Sequence, residues 1–249
     1  TAFVSEEGVM IINENDNSNY IQSYQKKELS IINTSQIIDS LEVTNFDSQL
    51  LFSGNVIKYK TLPFEIKIID YFENVKFDGT KIIPVQPNID PSQNNPGLLY
   101  IINENKYPND TLILSSLLSD KHKIIDNQTF LFELRSKRTY VPFTLELIDV
   151  TRILHPGTNI PKSFSSVVNL LDDKISRRAI IEMNSPLRYK GYTFYQSSFI
   201  ESVDGETTVL ATVKNYGRLF PYISSIIMCF GLLVYLVMRL PKLFKKQMA

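Results

Sequence analysis

Cysteine is almost missing from this chain: among 249 residues there is one, Cys229, inside an uncharged run near the C-terminus. The preceding region therefore has no disulfide and no Cys-based metal site. It is still long enough to bury a core without such staples. Histidine is nearly as scarce, with only His122 and His155. His122 stands in the charged run Asp120-Lys-His-Lys, and His155 opens the turn His155-Pro156-Gly157. Two isolated imidazoles define no metal site. No nucleophile motif surrounds any serine, so a Ser/His/Asp hydrolase does not follow, and no catalytic residue is assigned.

An excess of charge of one sign is missing too, since 26 Lys/Arg balance 26 Asp/Glu. The balance conceals a division. Residues 218–249 hold five basic residues and no acid, which leaves 21 basic against 26 acidic before them, a net of −5. A mildly acidic domain argues against nucleic acid as a partner.

Charge is absent altogether from Leu219 to Met238, twenty residues that cover the roughly 30 Å hydrocarbon core of a bilayer as a helix. Arg218 precedes the run, and Arg239, Lys242, Lys245 and Lys246 follow it. The excess of positive charge on the far flank places that end in the cytoplasm. Residues 1–217 are then an extracytoplasmic or periplasmic domain on the cytoplasmic (inner) membrane, 218–240 the transmembrane helix, and 241–249 a basic tail attracted to anionic lipid. The chain starts at Thr1 without Met or a signal sequence. An outward N-terminus needs one or an earlier span, so a longer polypeptide with further helices is expected.

What is present reads as β. Apolar and polar residues alternate in Phe64–Ile68, Phe143–Leu147 and Val209–Val213. Asp204-Gly205 between the runs Tyr192–Ile200 and Thr207–Lys214 signals a type I′ hairpin, and Lys190-Gly191 a second tight turn. The polar stretch Asn13–Asn19 reads as a hairpin end. Short helices are expected at Ser35–Leu41 and at Thr111–Leu118, the second capped by Asp110. The proline-rich segment 84–108 is expected to be an irregular insertion between subunits at about 1–83 and 109–217. Leu62-Pro63-Phe64 through Asp70 recurs 79 residues later as Val141-Pro142-Phe143 through Asp149. That is an internal repeat of two related β-units. The fold class is mainly β, a sandwich or barrel-like domain plus one C-terminal transmembrane helix.

Three runs carry a resemblance to a known family: HPGTNIPKSFSS (155–166), MNSPLRYKGYTFYQSSF (183–199) and NYGRLFPY (215–222). They resemble ResB, also called CcsB, the β-rich membrane subunit of system II cytochrome c maturation. The likeness covers roughly residues 50–240 and is most specific in 183–199. The motif residues are Pro63, Phe64, Asp70, Pro142, Phe143, Asp149, Pro161, Phe164, Ser166, Asn184, Pro186, Leu187, Tyr189, Gly191, Ser198 and Gly217. The resemblance implies a haem-handling ResC/CcsA-type membrane partner, apocytochrome c as recipient, and haem as the group handled by the complex. It implies a subunit of a haem-attachment complex that is itself non-catalytic. The family's haem-associated histidines lie in membrane helices, and the span here contains none, so His155 and His122 are only weak candidates as ligands. The alternative is a membrane-tethered scaffold that docks partners without handling haem. Tyr192, Tyr195, Gln196, Phe199 and Arg188 form a candidate partner or substrate surface. Against that stands a structural reading in which Tyr192 and Phe194 pack inward, Tyr195 and Phe199 take the other face, and Gln196 bonds within the sheet.

Overall fold

The computed structural model describes residues 5–35, 42–78, 81–103, 111–118, 121–158, 161–173, 175–202, 205–217 and 219–247. Strands dominate. In chain order they are β1 (Ser5–Asn13), β2 (Asn17–Asn33), β3 (Glu42–Asp47), β4 (Val56–Ile57), β5 (Glu65–Phe72), β6 (Val75–Asp78), β7 (Lys81–Pro84), β8 (Gly97–Asn103) and β9 (Thr111–Ser115). They continue as β10 (Lys121–Ile125), β11 (Gln128–Leu154), β12 (Pro161–Asp172), β13 (Ile175–Glu182), β14 (Leu187–Tyr189), β15 (Tyr192–Ser202) and β16 (Gly205–Asn215). One helix, α1 (Phe220–Gln247), ends the chain. The fold is mainly β with a single C-terminal apolar helix, as the alternating runs imply.

Two long strands organise the rest. The main sheet runs β13-β12-β11-β2-β1-β16-β15-β14, with β10 added on β11 and β3 on β2. The distal halves of β2 and β11 pair from Lys27↔Ser136 to Asn33↔Phe130. That half faces a second sheet, β4-β5-β8-β9, and Leu29, Ile31, Phe130 and Phe132 meet Phe64, Ile66, Ile68, Tyr100 and Ile102 in one sandwich core. A second core gathers Met10 and Ile12 of β1, Val141 to Val150 of β11, and Ile181, Leu187, Phe194 and Leu210. Because the two ends of the sheet, β13 and β14, share that core, this half curls towards a barrel. The two cores do not follow the 1–83 and 109–217 division, since β1 and the start of β2 lie with the C-terminal strands.

The repeat carries a shared defect. The ladder of β5 with β8 slips between Ile68 and Asp70, and that of β11 with β12 slips between Leu147 and Asp149. These are equivalent positions at the 79-residue offset. A β-bulge inserts one residue and reverses which face the following side chains occupy. Phe64, Ile66 and Ile68 are buried and Tyr71 then packs on the core, while Phe143, Leu145 and Leu147 are buried and Val150 follows. Asp70 accepts from the Tyr71 amide, and Asp149 from the Thr151 hydroxyl, so each aspartate serves its own bulge.

Four local expectations are corrected. Thr111–Leu118 is not helical: Thr111–Ser115 pairs with β8 from Ile101↔Thr111 to Gly97↔Ser115. Eight residues are too few to nucleate a stable helix, and an available sheet edge offers every backbone group a partner. Segment 84–108 is not wholly irregular, because it contains β8, whose Leu98, Tyr100 and Ile102 are buried. The β15–β16 turn lies one residue earlier than expected, with Ser202 opposite Gly205. Residues 203–204, 36–41 and Asp110 lie outside the described residues, and with them the expected helix near Ser35–Leu41. The hairpin end expected at Asn13–Asn19 is shorter, a turn between Asn13 and Asn17 with Asn17–Asn19 already in β2. The Lys190-Gly191 turn forms as expected; Lys190 and Gly191 both have positive φ, 45° and 85°, as a type I′ turn requires.

From Phe220 to Met238, α1 is long and apolar enough to cross a membrane, with 19 residues at a mean hydropathy of 2.1 and none of that stretch buried. Pro221 sits in its first turn, where its missing N–H is no loss. The helix extends past residue 240 to Gln247, so the basic segment continues it.

Two substitutions test this packing by chemical denaturation of the full chain. Phe194 has no exposed surface and packs edge-on to Phe143 with centroids 5.9 Å apart; Phe194→Ala is expected to cost about 3–5 kcal/mol. Arg135, 9% exposed, binds Glu28, 4% exposed, at 3.0 Å. Glu133 and Asn45 also hold Arg135, so Glu28→Ala is expected to cost about 3 kcal/mol, the low end for breaking a buried pair.

Candidate functional site

The 183–199 run resolves into a structural hub and an exposed strip. Tyr192 and Phe194 are buried, as the inward-packing reading has them. Phe143 of the repeat lies edge-on to Tyr189, Tyr192 and Phe194 at 5.1, 5.9 and 5.9 Å. The β14–β15 turn is tied to this cluster. Lys190 binds Asp172 at 2.5 Å and donates to the Pro142 carbonyl, and the Tyr189 hydroxyl donates to the same carboxylate. The Lys190 ammonium, then the Tyr189 hydroxyl, holds the Asp172 carboxyl below its usual range, and the carboxylate raises both partners. Gly191 supplies the turn's second positive φ without a Cβ clash. Motif residues Pro142, Phe143, Leu187, Tyr189 and Gly191 are thus packing and turn residues.

Gln196 does bond within the sheet, giving its amide to the Ser198 carbonyl at 3.1 Å and to the Thr208 hydroxyl at 3.0 Å. Ser166 completes this buried network, 2.7 Å from Thr208. Thr208 went unnoticed in the sequence, because a threonine in a strand looks like any other β-former. Phe199 is corrected. The β15–β16 ladder slips between Gln196 and Ser198, so Phe199 turns off the Tyr195 face and packs beside Phe164 at 5.6 Å, under Arg152. Tyr195, 38% exposed, and Arg188 remain on the outer face, linked through the Arg188↔Thr193 pair. The five candidates therefore do not form one surface. Tyr192 faces a cleft, Gln196 lies inside, Phe199 is half-buried beside the core, and only Arg188 and Tyr195 share the outer strip.

The two histidines lie on separate elements. His122 is an exposed residue of β10 opposite Leu131, and His155 is exposed at the 155–158 turn closed by the Thr158 amide. Asn184 is exposed beside the Glu182–Ser185 bridge, and Gly217 starts the turn into α1 through its carbonyl bond from the Phe220 amide. Among the described residues no three His, Cys, Asp or Glu side chains gather as a metal site.

A cleft of about 630 Å³ opens where the ladder between the long strands breaks. Ser136 pairs with Lys27, but Arg138 pairs with Gln22, so residues 23–26 of β2 loop out opposite Lys137 alone. The Ser23 hydroxyl accepts from the Gln25 and Lys26 amides and shapes the excursion. Gly8 is required beside it: a Cβ there would lie 2.4 Å from the Gln22 carbonyl oxygen. The opposite wall is Lys214 between Tyr192 and Tyr216, its ammonium 4.8 and 4.9 Å from their ring centroids and 3.2 Å from the Tyr192 hydroxyl. The Tyr216 hydroxyl, then that of Tyr192, raises the Lys214 ammonium above its usual range, so it stays charged. Glu6, which accepts from the Tyr216 hydroxyl, and Glu7 stand on the rim. Sequence reading missed this cleft because its residues come from separate strands with no local pattern.

The comparisons follow the same C-terminal strands. The ResB-like family model matches residues 121–220, from the first residue of β10 to the first of α1. Protein NrfI of Wolinella succinogenes is 32% identical over 95 residues, a stretch covering 37% of this chain and 10% of that protein. The chain thus spans about a tenth of the length of the relative it matches. Over residues 121–220, the strands that contribute to the second core and lead into the apolar helix, this chain is similar to the ResB-like family.

Proposed function

We propose that this chain is the β-rich subunit of a system II cytochrome c maturation complex, holding its domain on the extracytoplasmic face of the inner membrane. It works beside a ResC/CcsA-type membrane partner that handles haem, so that haem reaches apocytochrome c and is attached there. The observation that carries this reading is the ResB-like match, which runs unbroken from β10 to the start of the apolar helix. The chain itself supplies placement rather than chemistry: a β-domain, an exposed Arg188–Tyr195 strip on it, and an apolar anchor that begins a few residues after β16. Tyr and Arg are the side chains that most often carry binding energy at interfaces, so this strip is the face offered to partner or apocytochrome.

A second reading, a scaffold that docks proteins without handling haem, is favoured by the separate, exposed positions of His122 and His155. Haem absorbance of the full-length protein purified with its partner separates the two readings. A complex active in maturation yet free of haem throughout supports the scaffold.

Three outcomes are expected in a maturation assay that reads covalent haem on cytochrome c. The chain's absence abolishes attachment, and normal attachment without it removes the proposal. Replacing His122 and His155 together by Ala leaves attachment unchanged, and loss at normal protein level would put haem chemistry at these residues. Arg188→Ala combined with Tyr195→Ala lowers attachment about tenfold or more, the scale of a lost interface hot spot, while the melting temperature holds. A reporter active only outside the cytoplasm works in the 84–96 loop and fails after Ala249, and the reverse pattern would overturn the orientation.

A further inference from the structure

We propose that the cleft between the β2 excursion and the Tyr192–Lys214–Tyr216 wall binds the headgroup of a zwitterionic phospholipid with a primary amine, of the phosphoethanolamine class.

Position is the first argument. Tyr216 precedes the first residue of α1 by four residues, which can separate them by at most about 14 Å. The Phe220 amide bonds back to the Gly217 carbonyl and shortens that reach. Tyr216, Phe220 and Tyr222 are all more than half exposed, the pattern of aromatic residues seated at headgroup level. The cleft therefore opens beside the bilayer's polar layer, and its volume of about 630 Å³ is that of a small-molecule site.

Charge selects the ligand. Three lysines and two glutamates line the cleft. Lys137 is paired with Asp47, which leaves Lys26 and Lys214 against Glu6 and Glu7. That balance suits a zwitterion better than a monoanion. Neither Lys26 nor Lys214 has an ion pair among the described residues. An ammonium has three donors; one of those on Lys214 goes to the Tyr192 hydroxyl and the Tyr216 ring lies 4.9 Å away, which leaves a donor for a phosphodiester oxygen. The carboxylates of Glu6 and Glu7 accept from a primary ammonium. A choline group has no N–H to give them, and it would need the tyrosine faces that Lys214 already occupies.

The full chain, purified in detergent and stripped of lipid, is offered phosphatidylethanolamine, phosphatidylcholine or phosphatidylglycerol in mixed micelles, and retained lipid is read by native mass spectrometry. The ethanolamine lipid is expected to be held about tenfold better than either other, the value of one charge-assisted hydrogen bond. Lys214→Gln and Glu7→Gln each reduce that retention by a similar factor, and Lys60→Gln, on the exposed surface away from the cleft, does not. Melting curves confirm that each variant is folded; should Lys214→Gln fail to fold, Lys26→Gln takes its place. Equal retention of the three lipids, preference for phosphatidylglycerol, or folded cleft variants that keep their lipid would each overturn the assignment. Maturation activity does not enter this readout, so its outcome is independent of the role proposed above.

Discussion

The ladder between β2 and β11 is the constraint on which the rest of the structure depends. β11 has 27 residues, an extended length of roughly 90 Å, too long for one face to serve a single core. Its first third sends Phe130, Phe132 and Leu134 into the sandwich, and its middle sends Val141 to Val150 into the curled half. Between them the ladder breaks, at Ser136/Arg138 and again at Tyr140/Leu145. Backbone groups freed at such breaks need other partners, and the Ser23 hydroxyl takes the Gln25 and Lys26 amides. Polar side chains pair across the same region: Lys27 donates to Ser136, Arg135 holds Glu28, and Lys137 holds Asp47. The waist of the domain is therefore polar where both ends are apolar.

Single inserted residues set the phase of the core. The bulges beside Ile69 and Ile148 place Tyr71 and Val150 inward at equivalent points of the repeat, and the slip beside Ser197 brings Phe199 to Phe164. A strand without these insertions would send the same side chains to solvent. The likeness of the two halves thus lies in how each strand is interrupted as much as in its apolar residues.

The same interruption at the waist makes the cleft whose Lys214–Tyr216 wall lies a few residues before the apolar helix. β1, β15 and β16 bring Glu6, Tyr192 and Lys214 to one end because Ser5 pairs with Asn215 and Tyr192 with Lys214. The chain then leaves that end as the apolar helix α1. Arg188 lies near the same end, because it pairs with Thr193, next to the Tyr192 that pairs with Lys214.

Much of this was legible in the sequence because it is local. Strand periodicity, the Lys190-Gly191 turn, the inward Tyr192 and Phe194, the 79-residue repeat and the apolar helix all depend on spacings within a few residues or on plain composition. The ResB-like likeness was legible for the same reason, as contiguous runs. Tertiary structure alone decided what depends on register between distant strands. It made Thr111–Ser115 a strand by offering it the edge of β8, and placed β8 in the core of a proline-rich segment. It turned Phe199 inward through a slip that no residue type announces. It also assembled the cleft from residues 5–7, 21, 23–26, 137, 192, 214 and 216, since cross-strand pairing is a long-range choice made by the packed whole.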